Sequence, residues 1–321
     1  MIDRAQWAFV SGEVNSLRER LLDERAALSL LQAGSLEERN ARLRTSLLFS
    51  DAPPGPRPFD EVEGRFEALV NRIAGHAPDP RVGELFLIGP RWQTHRATAR
   101  ARFIRKTASG TAENADFDAA LRSEVTSTGM GPLVDAARRL TSEIPREGDL
   151  AGWIDRLMDP YEARASVQVA QALDSEMLLG WVRDTMTQRG ALAILRARVN
   201  EWDAALFLSE WRAAGFDHPA LTDLAHGDAA LWPAAWRQLG LPNAAEALGR
   251  PGAVVRLDKM IDDRLSAAVS AARGLPFGPE VVFAFLWALR MEAINLRLAL
   301  AAAEAGIPER RISAEMRNVH V

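Results

Sequence analysis

The segment RLDKMIDDRLSAA, residues 256–268, places Asp258 and Asp262 four residues apart with Asp263 beside them. On a helix, carboxylates at that spacing share a face and can share a cation such as magnesium. One such cluster is a weak signal. A second acidic motif to face it is missing from the sequence, and Lys259 and Arg264 lie within the same turn, so we read the stretch as a solvated helix face. A second polar group sits inside GPEVVFAFLWALRMEAINLRLALAAAEAGIPERR, where Glu292, Asn295 and Arg297 follow a nine-residue apolar run. Glu292 and Asn295 share a helix face, while Arg297 points about 140° away from Glu292, which makes those two poor partners within one helix. A buried ion here needs a mate on another helix, and the expectation is that these groups tie helices together.

Other chemistry finds little support. The histidines at 76, 95, 218, 226 and 320 are scattered and lack Glu-x-x-His spacing. The chain has no cysteine, which removes thiol catalysis, disulfides and thiolate metal sites. It has no Gly-x-Ser-x-Gly elbow, no phosphate-wrapping GxxxxGK[ST] loop and no GxGxxG turn. The nine tryptophans, Trp181, Trp202, Trp211, Trp232 and Trp236 among them, could line an aromatic groove, but at helical intervals they read as core. No catalytic residue, cofactor, metal or small-molecule substrate is expected.

The elements that must hold these residues are helices. With 321 residues, 48% of them hydrophobic, the chain can bury a sizeable core and is expected to divide into two or three domains. A net charge of -4, with arginine supplying nearly all the positive charge beside two lysines, argues against nucleic acid as a partner. No apolar stretch reaches the ~18–20 residues that span a bilayer, and the N-terminus has no signal-like pattern, so a cytoplasmic protein is expected. Trp7, Val10, Val14, Leu17 and Leu21 mark one face of a first helix, whose end Gly34 suits. Ser35 and Glu38 form a capping box for a second helix running to Leu47 or Leu48. After the proline-rich DAPPGPRP, Phe59, Val62, Phe66, Leu69, Val70 and Ile73 predict a third that stops at Gly75. Alternating β-branched runs are missing, so the fold is read as all-α. Looser stretches at 107–118, 126–132 and 226–279 divide the chain into rough thirds.

Three places repeat a helix with polar residues in its middle: RWQTHRATARARF from Arg91, VRDTMTQRGALAILRAR from Val182 and LRMEAINLRLALAAA from Leu289. They align Gln93 with Asp184 and Glu292, then Arg96 with Thr187 and Asn295, then Arg189 with Arg297. The first members lie 91 and 108 residues apart, too long for tetratricopeptide or HEAT repeats of ~34–47 residues. Three pseudo-symmetric helical domains follow as an expectation, at 1–112, 113–222 and 223–321.

The last stretch resembles the C-type central-stalk family of the A-type and bacterial V-type rotary ATPases, which is related to the d-type family of the eukaryotic V-ATPases. The residues that carry the resemblance are Gly278 and Pro279, the apolar Val281 to Leu289, Glu292 with Asn295, Leu296 and Arg297, and then Gly306, Ile307 and Pro308. Trp7, Val14, Leu21 and Leu22 near the start, and Arg91, Trp92, Gln93 and His95 in the first repeat, extend it along the chain. The sequence departs from the family pattern at Gln93, where an acid is usual, at Arg96, where asparagine is usual, and at Gly12 and Glu13, which replace a basic pair. The resemblance implies a funnel of three helical domains that sits on the cytoplasmic face of the membrane rotor ring as a socket for the central-stalk shaft. Such a part couples ATP turnover to proton or sodium transport and is itself no catalyst. The alternative is a free-standing helical scaffold or adaptor that keeps the fold without rotary partners.

Overall fold

Every residue from Pro279 to Leu289 is buried, so this stretch of helix has no solvent face and needs neighbours on all sides. The computed structural model describes residues 3–109 and 150–319, with no side-chain description for 94, 95, 98–109 and 150–154. Among the described residues it is all-α, with 14 α-helices, short 3₁₀ turns and no strand. We number them α1 Ala8–Arg18, α2 Glu24–Ser29, α3 Leu36–Leu43, α4 Pro58–His76, α5 Arg81–Ser109, α6 Leu150–Ala172 and α7 Glu176–Val199. The rest are α8 Ala204–Ala213, α9 Pro219–His226, α10 Trp232–Gln238, α11 Ala244–Leu248, α12 Ala253–Val269, α13 Pro279–Ala305 and α14 Glu309–Ile312. Among the described residues no helix is long and apolar enough to cross a membrane.

The described chain groups into two compact units. Unit 1 comprises Met1–Leu87, Ala170–Trp181 and Lys259–Val321; unit 2 comprises Ile88–Val169 and Val182–Asp258. The expected first boundary at 112/113 and the loose stretch at 126–132 lie outside the described residues, as does most of the stretch at 107–118.

In unit 1, α13 packs against α4, α1 and α2. The expected stripe of α4, Val62, Phe66, Leu69, Val70 and Ile73, is buried, with Pro58 in the first turn where its missing N–H costs nothing. Each fully buried side chain of this size contributes about 1.5–3 kcal/mol of transfer free energy, so the α4–α13 seam is a principal source of stability for the unit. The N-terminal segment differs from the sequence expectation. The first helix stops at Arg18, and a separate helix begins at Glu24, capped by Asp23, whose carboxylate accepts from Ala26 N–H at 2.7 Å. The capping box at Ser35 forms, with Glu38 N–H donating to Ser35 Oγ at 3.1 Å and Glu38 Oε2 accepting from Gly34 N–H at 2.9 Å. That helix ends at Leu43 rather than Leu47, and Leu47–Phe49 form a 3₁₀ turn.

Two glycines frame α13. Gly306 closes it in the left-handed region at φ 64°, where Ile307 N–H reaches back to Ala302 O at 2.9 Å. Gly278 opens it at φ 144°, and a Cβ there would stand 2.4 Å from Glu280 Oε2 and 2.9 Å from Arg4 Nη2. Gly278→Ala therefore combines a disfavoured backbone with a clash against the part-buried Arg4–Glu280 ion pair. Chemical denaturation is expected to show a loss of about 2 kcal/mol.

In unit 2, α8, α9, α10 and α11 pack each on the next, over a core that includes the fully buried Trp92, Trp211 and Trp236. Those three are core, as their spacing suggests. Trp181, in unit 1, is partly exposed and stacks on Phe283 with ring centroids 6.0 Å apart.

Candidate functional site

The three aligned polar positions have different surroundings. In unit 2, Arg96 of α5 is buried and meets three carboxylates of α6: Asp155 at 3.2 Å, Glu162 at 2.9 Å, and Asp159. Asp155, Asp159 and Glu162 stand at i, i+4 and i+7, which is one face of a helix. Burial pulls the Arg96 pKa down, but the three carboxylates more than offset this and hold it above its ordinary value. The Glu162 carboxyl is pushed up to about 7, first by burial, against the pull of Arg96 and aided by Asp159. Gln93, one turn earlier, is exposed, and the side chain of His95 lies outside the described residues.

On α7, Asp184 is exposed, and Thr187 Oγ1 donates to Arg183 O of its own helix at 2.8 Å. Arg189 reaches Asp258 of α12 at 3.5 Å. With both side chains more than a third exposed, that pair contributes little.

The third set, in unit 1, is the most deeply placed. Glu292 and Asn295 are fully buried. Ser46 Oγ accepts from Leu48 N–H at 3.1 Å and donates to Glu292 Oε1 at 2.8 Å. The backbone N–H groups of Leu22 and Leu47 also face the carboxyl. Burial dominates these hydrogen bonds and lifts Glu292 to about 7. The expectation of a buried ion with a mate on another helix is thus corrected: the mate is the hydroxyl at the cap of a 3₁₀ turn, and desolvation favours the protonated carboxyl. Asn295 bonds the C-terminal tail in both directions, Nδ2 to Arg317 O at 2.9 Å and Oδ1 from Arg317 N–H at 2.8 Å. Arg297 shares Glu63 of α4 with Arg290, at 3.4 and 2.6 Å respectively. The two guanidiniums lie over Phe59 and Phe66, each 5.0 Å from the ring centre.

The acidic run of α12 is no metal cluster. Asp263 pairs with Lys259 at 2.5 Å, as a solvated helix face would. Asp262 does not fit that description: it is buried and pairs with Arg317, also buried, at 3.2 Å. Among the described residues no group of three or more histidines and carboxylates could hold a metal ion.

Sequence reasoning missed the acidic stripe of α6, although its i, i+4, i+7 spacing was on view. It also missed Ser46 and Arg317, which lie 246 and 22 residues from their partners on α13 and carry no local signal. These sites bring together groups that fix helices to one another. No protein-family model matches the chain, and no curated protein matches it.

Proposed function

We propose that this chain is a non-catalytic central-stalk subunit of a V-type or A-type rotary ATPase, a socket that couples the shaft to the membrane rotor ring during proton or sodium transport. The observation that carries the reading is the use made of the polar residues in α13. Glu292 holds the Ser46 turn, Asn295 holds the tail at Arg317 and Arg297 holds α4 through Glu63. A part that transmits torque needs helices locked against sliding, and buried polar pairs fix register in a way that apolar contact alone does not. The helix carrying them is the one whose Gly-Pro start, Glu292, Asn295-Leu296-Arg297 and Gly306-Ile307-Pro308 resemble the family. In this reading the partners are the shaft subunits and the ring, and attachment to the cytoplasmic face of the membrane is peripheral, through the ring.

Native mass spectrometry of the chain mixed with the two central-stalk shaft proteins of the same organism tests this directly. An equimolar ternary complex is the expected result. A folded chain that forms no complex at micromolar concentrations would instead favour the free-standing scaffold or adaptor.

A further inference from the structure

Residues 316–319 follow α14 and a 3₁₀ turn and belong to no helix. They lie against α12 and α13, whose side chains bond their backbone group by group. Asn295 of α13 takes both groups of Arg317, with Nδ2 donating to the carbonyl at 2.9 Å and Oδ1 accepting from the N–H at 2.8 Å. On α12, Asp263 Oδ1 accepts from Asn318 N–H at 3.3 Å, and Ser266 Oγ donates to Asn318 O at 3.2 Å. Trp287 Nε1 donates to the same Ser266 Oγ at 2.9 Å, which leaves the hydroxyl proton free to face the tail.

The side chains of the segment are sorted as well. Met316 and Val319 are buried, Asn318 is exposed, and the Arg317 guanidinium turns inward to meet the buried Asp262 through Nε at 3.2 Å. Main-chain bonds that fit any sequence, together with enclosed places for particular side chains, are the means by which an extended peptide ligand is recognised. Here the main-chain bonds come from Asn295, Asp263 and Ser266, and the selection comes from Asp262 and the sites of Met316 and Val319.

Detaching the segment unwinds no helix, and it sits near the chain end, where local opening costs least. The buried Arg317–Asp262 pair adds little net stability over two hydrated ions, yet it penalises any residue that leaves Asp262 buried without a cation. These contacts select a sequence more than they stabilise a fold. We propose that α12 and α13 form a peptide-binding groove for extended apolar-Arg-x-apolar segments, which the chain's own tail fills in this structure and which a partner protein carrying that motif fills in its place. Glu292 and Arg297 tie α13 to the Ser46 turn and to α4 without the tail, so the groove stands apart from the central-stalk reading.

Fluorescence anisotropy of a labelled peptide with the sequence of residues 313–321, titrated with the full chain, tests the proposal. The parent should bind weakly, because its own tail competes at high effective concentration. Arg317→Ala in the chain weakens that competitor and leaves the groove intact, so the peptide should bind it roughly tenfold more tightly than it binds the parent. A peptide with alanine in place of its arginine should lose binding to both chains. Asp262→Arg should reject the native peptide and accept one with glutamate in place of the arginine, a reversal that a purely structural tail would not produce. Hydrogen exchange of the parent gives a readout that needs no variant to fold: the Arg317 and Asn318 amides should exchange by local opening, far faster than the amides of α13 around Asn295. Exchange of those two amides only through global unfolding overturns the groove. So does a folded Arg317→Ala chain with no saturable peptide binding, or undiminished binding of the peptide that lacks arginine.

Discussion

Arg96→Met is expected to cost unit 2 about 3 kcal/mol or more near neutral pH, the largest effect we predict for a single side chain outside the apolar core. The substitution keeps the length and apolar stem of the side chain but leaves Asp155, Asp159 and Glu162 facing one another on α6 without their shared cation. Breaking a buried pair by removing one partner typically costs ~3–5 kcal/mol, because the abandoned charge stays desolvated. Between 16% and 26% of each carboxylate side chain remains exposed, which places the expected loss at the lower end of that range. The pH dependence has a definite sign. With Arg96 gone, Glu162, already lifted to about 7 by burial, loses the cation that pulls it down, and its folded-state pKa rises further. The deficit is then greatest above that raised value and shrinks on acidification, as Glu162 takes up its proton. Urea unfolding at pH 8 and pH 5 checks both the size and the trend. A deficit that is the same at both values would mean that Arg96 acts through packing of its stem rather than through charge.

The same contrast explains what the sequence could and could not reveal. α4 and α13 were legible because their signals are local: Pro58 and Pro279 in the first turn, apolar residues at helical spacing or in a continuous run, and Gly306 after the last turn. The break between α1 and α2 was misread because Leu17 and Leu21 continue the helical period across it, and periodicity outweighed the N-cap at Asp23. Long-range polar pairing was not legible. Asp262 and Arg317 are 55 residues apart, and an aspartate on a helix reads alike whether water or a buried guanidinium faces it. The repeat alignment identified Arg96, Glu292, Asn295 and Arg297 as polar residues inside helices. It could not say that Gln93 and Asp184, aligned with the fully buried Glu292, would be exposed. Arg189 and Arg297 keep the clearest equivalence, each reaching a carboxylate on another helix.

Glu292 supplies the other large effect, because its partner is neutral. Its folded-state value of about 7 stands above the 4.5 of an ordinary glutamate, so between those values the folded chain holds a proton that the unfolded chain releases. Stability from this group is fully present below the unfolded pKa, declines as pH rises through the window and levels off above about 7. At about 1.4 kcal/mol per unit the decline has a ceiling of roughly 3 kcal/mol. Glutamine removes the titrating group and keeps a carbonyl to accept from Ser46, while its NH₂ faces the N–H donors of Leu22 and Leu47 and costs a roughly pH-independent amount. The Glu292→Gln stability relative to the parent should therefore rise by about 2–3 kcal/mol between pH 5 and pH 8. Glu162 titrates in the same direction, but it is present in both chains and drops out of the difference. Ser46→Ala should act oppositely, raising the Glu292 pKa further by removing a hydrogen bond that favours the ionised form, and steepening the loss toward pH 8. If the Gln-minus-Glu difference were flat from pH 5 to pH 8, the carboxylate would be compensated in the fold by a positive group, and the neutral tether between α13 and the Ser46 turn would have to be abandoned.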